Sequence, residues 1–130
     1  MSKSVMEMIG EARARVGLVS PAAAAEELAA GTAVLVDVRQ PGEWEHGHIE
    51  GSVPAPRGLL EFFADPASPR HKPELDPARR MIVICHSGAR AALAAATLQD
   101  MGYEDVAILE GGIGAWEAAG LATTEHEYAV

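Results

Sequence analysis

The sequence predicts a layered α/β domain built on a parallel sheet, and three observations carry that expectation. Short apolar runs at 33–38 (AVLVDV), 81–85 (MIVIC) and 106–109 (VAIL), rich in β-branched residues, have the character of strands buried on both faces. Helical signals alternate with them along the chain. A length of 130 residues with 48% hydrophobic content suffices for one substantial core and not for two.

Each element follows from local signals. Residues 3–16 (KSVMEMIGEARARV) space Val5, Met8, Ile9, Ala12 and Val16 along one apolar helical face, which predicts an N-terminal helix lying against the domain without functional weight. Leu18 and Val19 suit a short strand. Ser20 as N-cap and Pro21 at the first helical position open a helix to Ala30, which Gly31 stops. The stretch Ala55 to Arg80 holds five prolines around a short helix at Gly58 to Phe63, so an ordered but irregular connection is expected. Arg90 to Met101 reads as a helix burying Leu93, Ala94, Leu98 and Met101, with Gly102 as its C-cap. Aromatic content is 5% and alanine is abundant, which favours close helix packing. No internal repeat or composition break appears, so residues 1–16 are read as a helical extension and 17–130 as the domain.

Charge and cysteine usage narrow the function. A formal net charge of -9, from 10 Lys plus Arg against 19 Asp plus Glu, argues against nucleic acid and anionic lipid as partners. An acidic body also repels small anions unless positive charge gathers at one mouth. A lone Cys forms no intrachain disulfide, and residues 1–19 show no continuous apolar run of signal-peptide length, so a cytoplasmic location is expected. No stretch approaches the roughly 20 apolar residues that span a bilayer.

The chemistry concentrates in CHSGAR, residues 85–90. Cys85 ends a predicted strand and a helix begins five residues later, the position where ligands bind in open α/β sheets. His86, Ser87, Gly88 and Ala89 are small or flexible enough for the chain to curl until several N–H groups point at one centre, with the helix dipole adding positive potential. Such a cradle favours an anion at the Cys85 sulfur, first as thiolate and then as persulfide. The plainer alternative is a small buried core cysteine. Arg90 would anchor the sulfonate-like oxygens of a donor, or else be held by a surface carboxylate. His86 would assist the thiolate or merely face solvent.

Three ordered segments, VDVRQPGEWEHGHIEGSVPAP (36–56), CHSGARAALAAATLQDMGYEDV (85–106) and LEGGIGAWEAAGL (109–121), resemble the rhodanese homology domain over roughly residues 17–121. The resemblance implies a single three-layer domain, with a five-stranded parallel sheet between helices, and a persulfide-forming Cys85. It implies a loop that binds the donor anion through backbone amides, and sulfur transfer from thiosulfate or a similar donor to cyanide or a thiol, including a protein acceptor. Asp37 and Arg39, with Glu43, His48 and Gly51, would brace the first loop, and Gly111, Gly112 and Trp116 would close the domain structurally. The segment 57–73 looks like an insertion found in some single-domain members. It would place Arg57, Glu61 or Phe62 at the pocket rim, unless Phe62 and Phe63 are core anchors, which is the favoured reading.

Two other functions compete. Phosphatases of similar fold use a cysteine loop closed by arginine, but five residues separate the two there and four do here. A sulfur-carrying or protein-interaction module with little turnover of its own is the third reading. No cofactor is expected. The histidines show no paired metal-ligand spacing beyond His46 and His48, and GGIG (111–114) lacks nucleotide-binding context.

Overall fold

The computed structural model describes residues 2–126 of the chain; the expected end of the domain at Val130 lies outside them. Five strands, β1 (Gly17–Val19), β2 (Val34–Asp37), β3 (Val53–Pro54), β4 (Met81–Ile84) and β5 (Val106–Leu109), pair in parallel in the order β1-β5-β4-β2-β3. The three apolar runs are therefore the three inner strands, buried at every residue. The short pair Val53–Pro54, which no local pattern marks, supplies an edge where the proline does no harm.

Helices cover both faces: α1 (Val5–Arg15), α2 (Pro21–Ala30), α3 (Pro41–Glu45), α4 (Leu60–Ala64), α5 (Ala89–Asp100) and α6 (Gly112–Ala118). Alternation along each strand divides the core. Val34, Val36, Met81, Val83 and Ile108 face α1, α4 and α5, whereas Leu35, Ile82, Ile84 and Leu109 face α2 and α6 with Trp116. On α5 the buried face is Ala91, Ala92, Ala94, Ala95 and Leu98. Leu93 and Met101, expected inside, are only partly buried, because alanine lets the helix settle close to the sheet and pushes larger side chains to its flanks. The helix is capped at Met101, and Gly102 follows at φ +100°.

The N-terminal helix begins with a capping box between Ser4 and Glu7 and packs against α5. Its buried stripe is narrower than the periodicity predicts. Ile9, Ala12 and Val16 enter the core, but Val5 and Met8 are 59% and 46% exposed. Phe62 also departs from expectation: Phe63 is buried, while Phe62 is 54% exposed. Neighbours on a helix point about 100° apart, and α4 turns Leu60, Phe63 and Ala64 to the core, which leaves Phe62 on the solvent side. The irregular 55–80 stretch is tied down by Tyr103, whose hydroxyl lies 2.7 Å from the Ala64 carbonyl and 2.8 Å from that of Leu75.

Candidate active site

Cys85 follows β4, an inner strand, so its position is set by the most constrained part of the sheet. It is 1% exposed, and the turn after it bends back over the sulfur. Gly88 makes that bend. At φ +111° it adopts a left-handed conformation that favours glycine, and its N–H donates to Cys85 Sγ at 2.9 Å. Gly88 is also the N-cap of α5 and brings no side chain to cap it, so the first N–H groups of α5 lack intrahelical partners beside the sulfur. The arrangement suits a negatively charged sulfur. Ala89 opens the helix, and His86 and Ser87 are exposed.

Helix α6 holds this loop from behind. Ile113 N–H donates to the Cys85 carbonyl at 2.9 Å and Gly114 N–H to that of His86 at 3.3 Å. A side-chain carbon at Gly112 would overlap both carbonyl oxygens, and its φ of +62° disfavours one anyway. The GGIG segment thus clamps the loop backbone, a link that its local sequence does not reveal. Gly112→Ala is expected to shift the loop, lowering stability by about 2 kcal/mol and activity more than tenfold; unfolding and turnover measured on the same preparation would check it.

The supporting residues form one chain of contacts. Arg39 lies buried against Asp37, with Nε 3.0 Å from Oδ1 and Nη2 2.9 Å from Oδ2. The same guanidinium donates to the Glu43 carbonyl at 3.4 Å and the Gly47 carbonyl at 2.7 Å, fixing α3. His48, buried, donates Nδ1–H to the Trp44 carbonyl at 2.8 Å and stacks on the Trp44 ring at 3.4 Å. These contacts aim Glu43 at the loop. Its carboxylate takes Arg90 in a two-pronged pair at 2.7 and 3.0 Å, so the conformation seen is the carboxylate-held alternative for Arg90.

The Arg90 bond, helped by the Gln40 N–H, lowers the Glu43 carboxyl from its ordinary 4.5 to about 2, against the opposing effect of burial. Arg90 is held more firmly charged, first by Glu43 and in smaller part by Cys85 and Asp37. Because the Glu43 shift is downward, its stabilising effect is complete above the ordinary value and disappears as pH falls toward about 2. Both side chains are more than one third exposed, so the pair contributes at most about 1 kcal/mol. Glu43→Gln is expected to flatten the fall of stability between pH 4.5 and about 2, seen by urea unfolding at stepped pH.

Arg57 and Glu61 pair with each other at 3.0 Å, and Arg57 also reaches Thr97, seven residues after Arg90 on α5. Arg57 lines a groove of about 360 Å³ between α1 and α5 that contains no residue of the cysteine loop. Neither residue lines the cavity at that loop. That cavity, of about 200 Å³, is bounded by Arg13, Leu18, Ser87, Gly88, Ile108, Leu109, Glu110 and Gly111. No sequence motif marks Arg13, yet its Nη2 lies 3.9 Å from where a side-chain carbon at Gly88 would stand.

A parallel α/β domain whose lone cysteine sits under a glycine turn, at the N-terminus of a helix, defines a cysteine-loop domain. Its sequence gives the class more narrowly. The chain belongs to the rhodanese-like domain family, whose description matches residues 20–119. It is 34% identical over 86 residues to the thiosulfate sulfurtransferase GlpE of Pseudoalteromonas translucida, covering 66% of this chain and 74% of that protein. It is 35% identical over 82 residues, 63% of this chain, to a Mycobacterium tuberculosis protein named a probable adenylyltransferase/sulfurtransferase, MoeZ, of whose length it spans only 19%. A solved Rhodopseudomonas palustris protein of unknown function, described as a possible tyrosine phosphatase, superposes with a TM-score of 0.87 at 39% identity, covering 95% of this chain and 96% of that one. Among the described residues no helix is long and apolar enough to cross a membrane.

Proposed function

We propose that this protein moves sulfane sulfur from thiosulfate or a similar anionic donor to a thiol or cyanide, through a persulfide on Cys85. The observation that carries the reading is the Gly88 N–H donated to Cys85 Sγ at the N-terminus of α5. The Cys85 thiolate attacks the outer sulfur of thiosulfate, the S–S bond of the donor breaks, and sulfite leaves with the electron pair. An acceptor thiolate or cyanide then attacks the outer sulfur of the persulfide and restores the Cys85 thiolate. No external oxidant or reductant is needed. An S–S bond is about 2 Å long, so sulfur loaded on the buried Cys85 extends that far beyond its side chain. A single thiol that forms no intrachain bridge also suits a reducing compartment such as the cytoplasm.

Mass spectrometry after thiosulfate treatment tests the reading. A gain of one sulfur on Cys85, removed by cyanide with release of thiocyanate, is expected, and no gain would overturn it. The similarity to the protein described as a possible tyrosine phosphatase favours a second reading, phosphate-ester hydrolysis. The four-residue span from Cys85 to Arg90 leaves less room around the sulfur for a tetrahedral phosphoryl group, and Arg90 is engaged by Glu43. Hydrolysis of a chromogenic phosphate ester that disappears in Cys85→Ser would reverse this ranking.

A further inference from the structure

We propose that Arg13, on the N-terminal helix and outside the segment that matches the family, is the cation that binds the anionic sulfur donor at Cys85. The inference rests on the sulfur-transfer reading and adds to it the residue that receives the donor's charge. Three observations carry it. The cation within the loop, Arg90, is neutralised by a two-pronged carboxylate, so its charge is not free for an incoming anion. Arg13 stands beside Gly88, the residue whose N–H touches the sulfur, and it makes no ion pair among the described residues. The cavity that it lines also takes in Ser87 and Gly88 of the loop and the apolar Leu18, Ile108 and Leu109.

The position of Arg13 is built, not incidental. Ile9, Ala12 and Val16 bury one side of α1, and the Arg15–Asp100 bond at 2.7 Å and the Gln99 amide on the Arg15 carbonyl at 3.2 Å hold its last turn to α5. A cation in that last turn also complements the negative end of the helix dipole. The other charged residue of the cavity, Glu110, stands at its β5 side. A doubly negative donor is repelled from that side and drawn to the side formed by Arg13, Ser87 and Gly88, the residue whose N–H meets the sulfur. On a body of net charge -9, one well-placed cation raises the share of small anions that reach the thiol.

Alkylation of Cys85 by iodoacetate, an anion, and by iodoacetamide, its neutral counterpart, reads this charge directly, with steady-state turnover of thiosulfate as a second arm. A unit charge about 5 Å away through water changes the local concentration of an anion about three- to fivefold. Arg13→Ala is therefore expected to slow iodoacetate by about that factor and, because thiosulfate carries two charges, to raise its KM by about the square of it, roughly ten- to twenty-fivefold. Iodoacetamide rates, taken at a pH where they no longer rise, and kcat should stay within about twofold, because no group touching the reacting sulfur is changed. Arg13→Lys should keep most of the effect, and Arg79→Ala, which alters net charge equally at a remote exposed position, should show none. An iodoacetate-to-iodoacetamide ratio unmoved by Arg13→Ala in a thiosulfate-active protein overturns the Arg13 assignment alone. A wild type that neither alkylates nor acquires sulfur from thiosulfate overturns the sulfur-transfer reading and the donor role of Arg13 with it.

Discussion

Cys85→Ser is expected to abolish thiocyanate formation from thiosulfate and cyanide and to remove all sulfur gain on the protein. The chain has one thiol, so no neighbour can take over the attack. Serine fits the space, and its hydroxyl can accept the Gly88 N–H as the sulfur does, so the fold should persist with stability within about 1 kcal/mol. An alkoxide cannot replace a thiolate here: a hydroxyl ionises far less at neutral pH and forms no persulfide. Turnover should fall below detection, more than about a thousandfold. Residual sulfur transfer in a folded Cys85→Ser protein would place the chemistry elsewhere.

Asp37→Ala should cause the largest loss of stability of any single change at the site, about 3–5 kcal/mol. Asp37 and Arg39 are 1% and 6% exposed, and their bonds are fully internal. Removing the carboxylate leaves a guanidinium in the core with no charge to balance it, and also unties the Arg39 N–H that Asp37 accepts at 3.0 Å. For a domain of this size the melting temperature should drop by roughly 10–20 °C. Because Arg39 fixes α3, from which Glu43 reaches Arg90, turnover should fall as well. The double change Asp37→Ala with Arg39→Met separates charge from packing. It removes the unpaired cation and should be more stable than Asp37→Ala alone; if it is less stable, the buried charge is not the cause. Denaturant midpoints at constant slope give the comparison.

The fold was legible because its signals are local. A strand buried on both faces must be apolar at every position, and 81–85 and 106–109 could hardly read otherwise. Helix α2 announced both ends through Ser20, Pro21 and Gly31, and the structure places its N-cap and C-cap at Ser20 and Gly31. The Cys85 loop was legible for the same reason, since strand end, glycine turn and helix start lie within six residues. Where periodicity failed, at Val5 and Met8, the pattern specified an apolar face but not how wide a contact its neighbour would offer.

The amino-acid sequence by itself therefore determined the layered sheet, the placement of a lone thiol at the mouth of a helix, and the family. Only the tertiary structure decided how charge is arranged around that thiol. Arg90 meets Glu43 across 47 positions, and Arg13 reaches Gly88 from a helix that precedes the first strand. Local patterns encode which face of an element is buried, because burial depends on the residue's own hydration. Which charges meet depends on where separate elements dock, and that is set by the packing of the whole core.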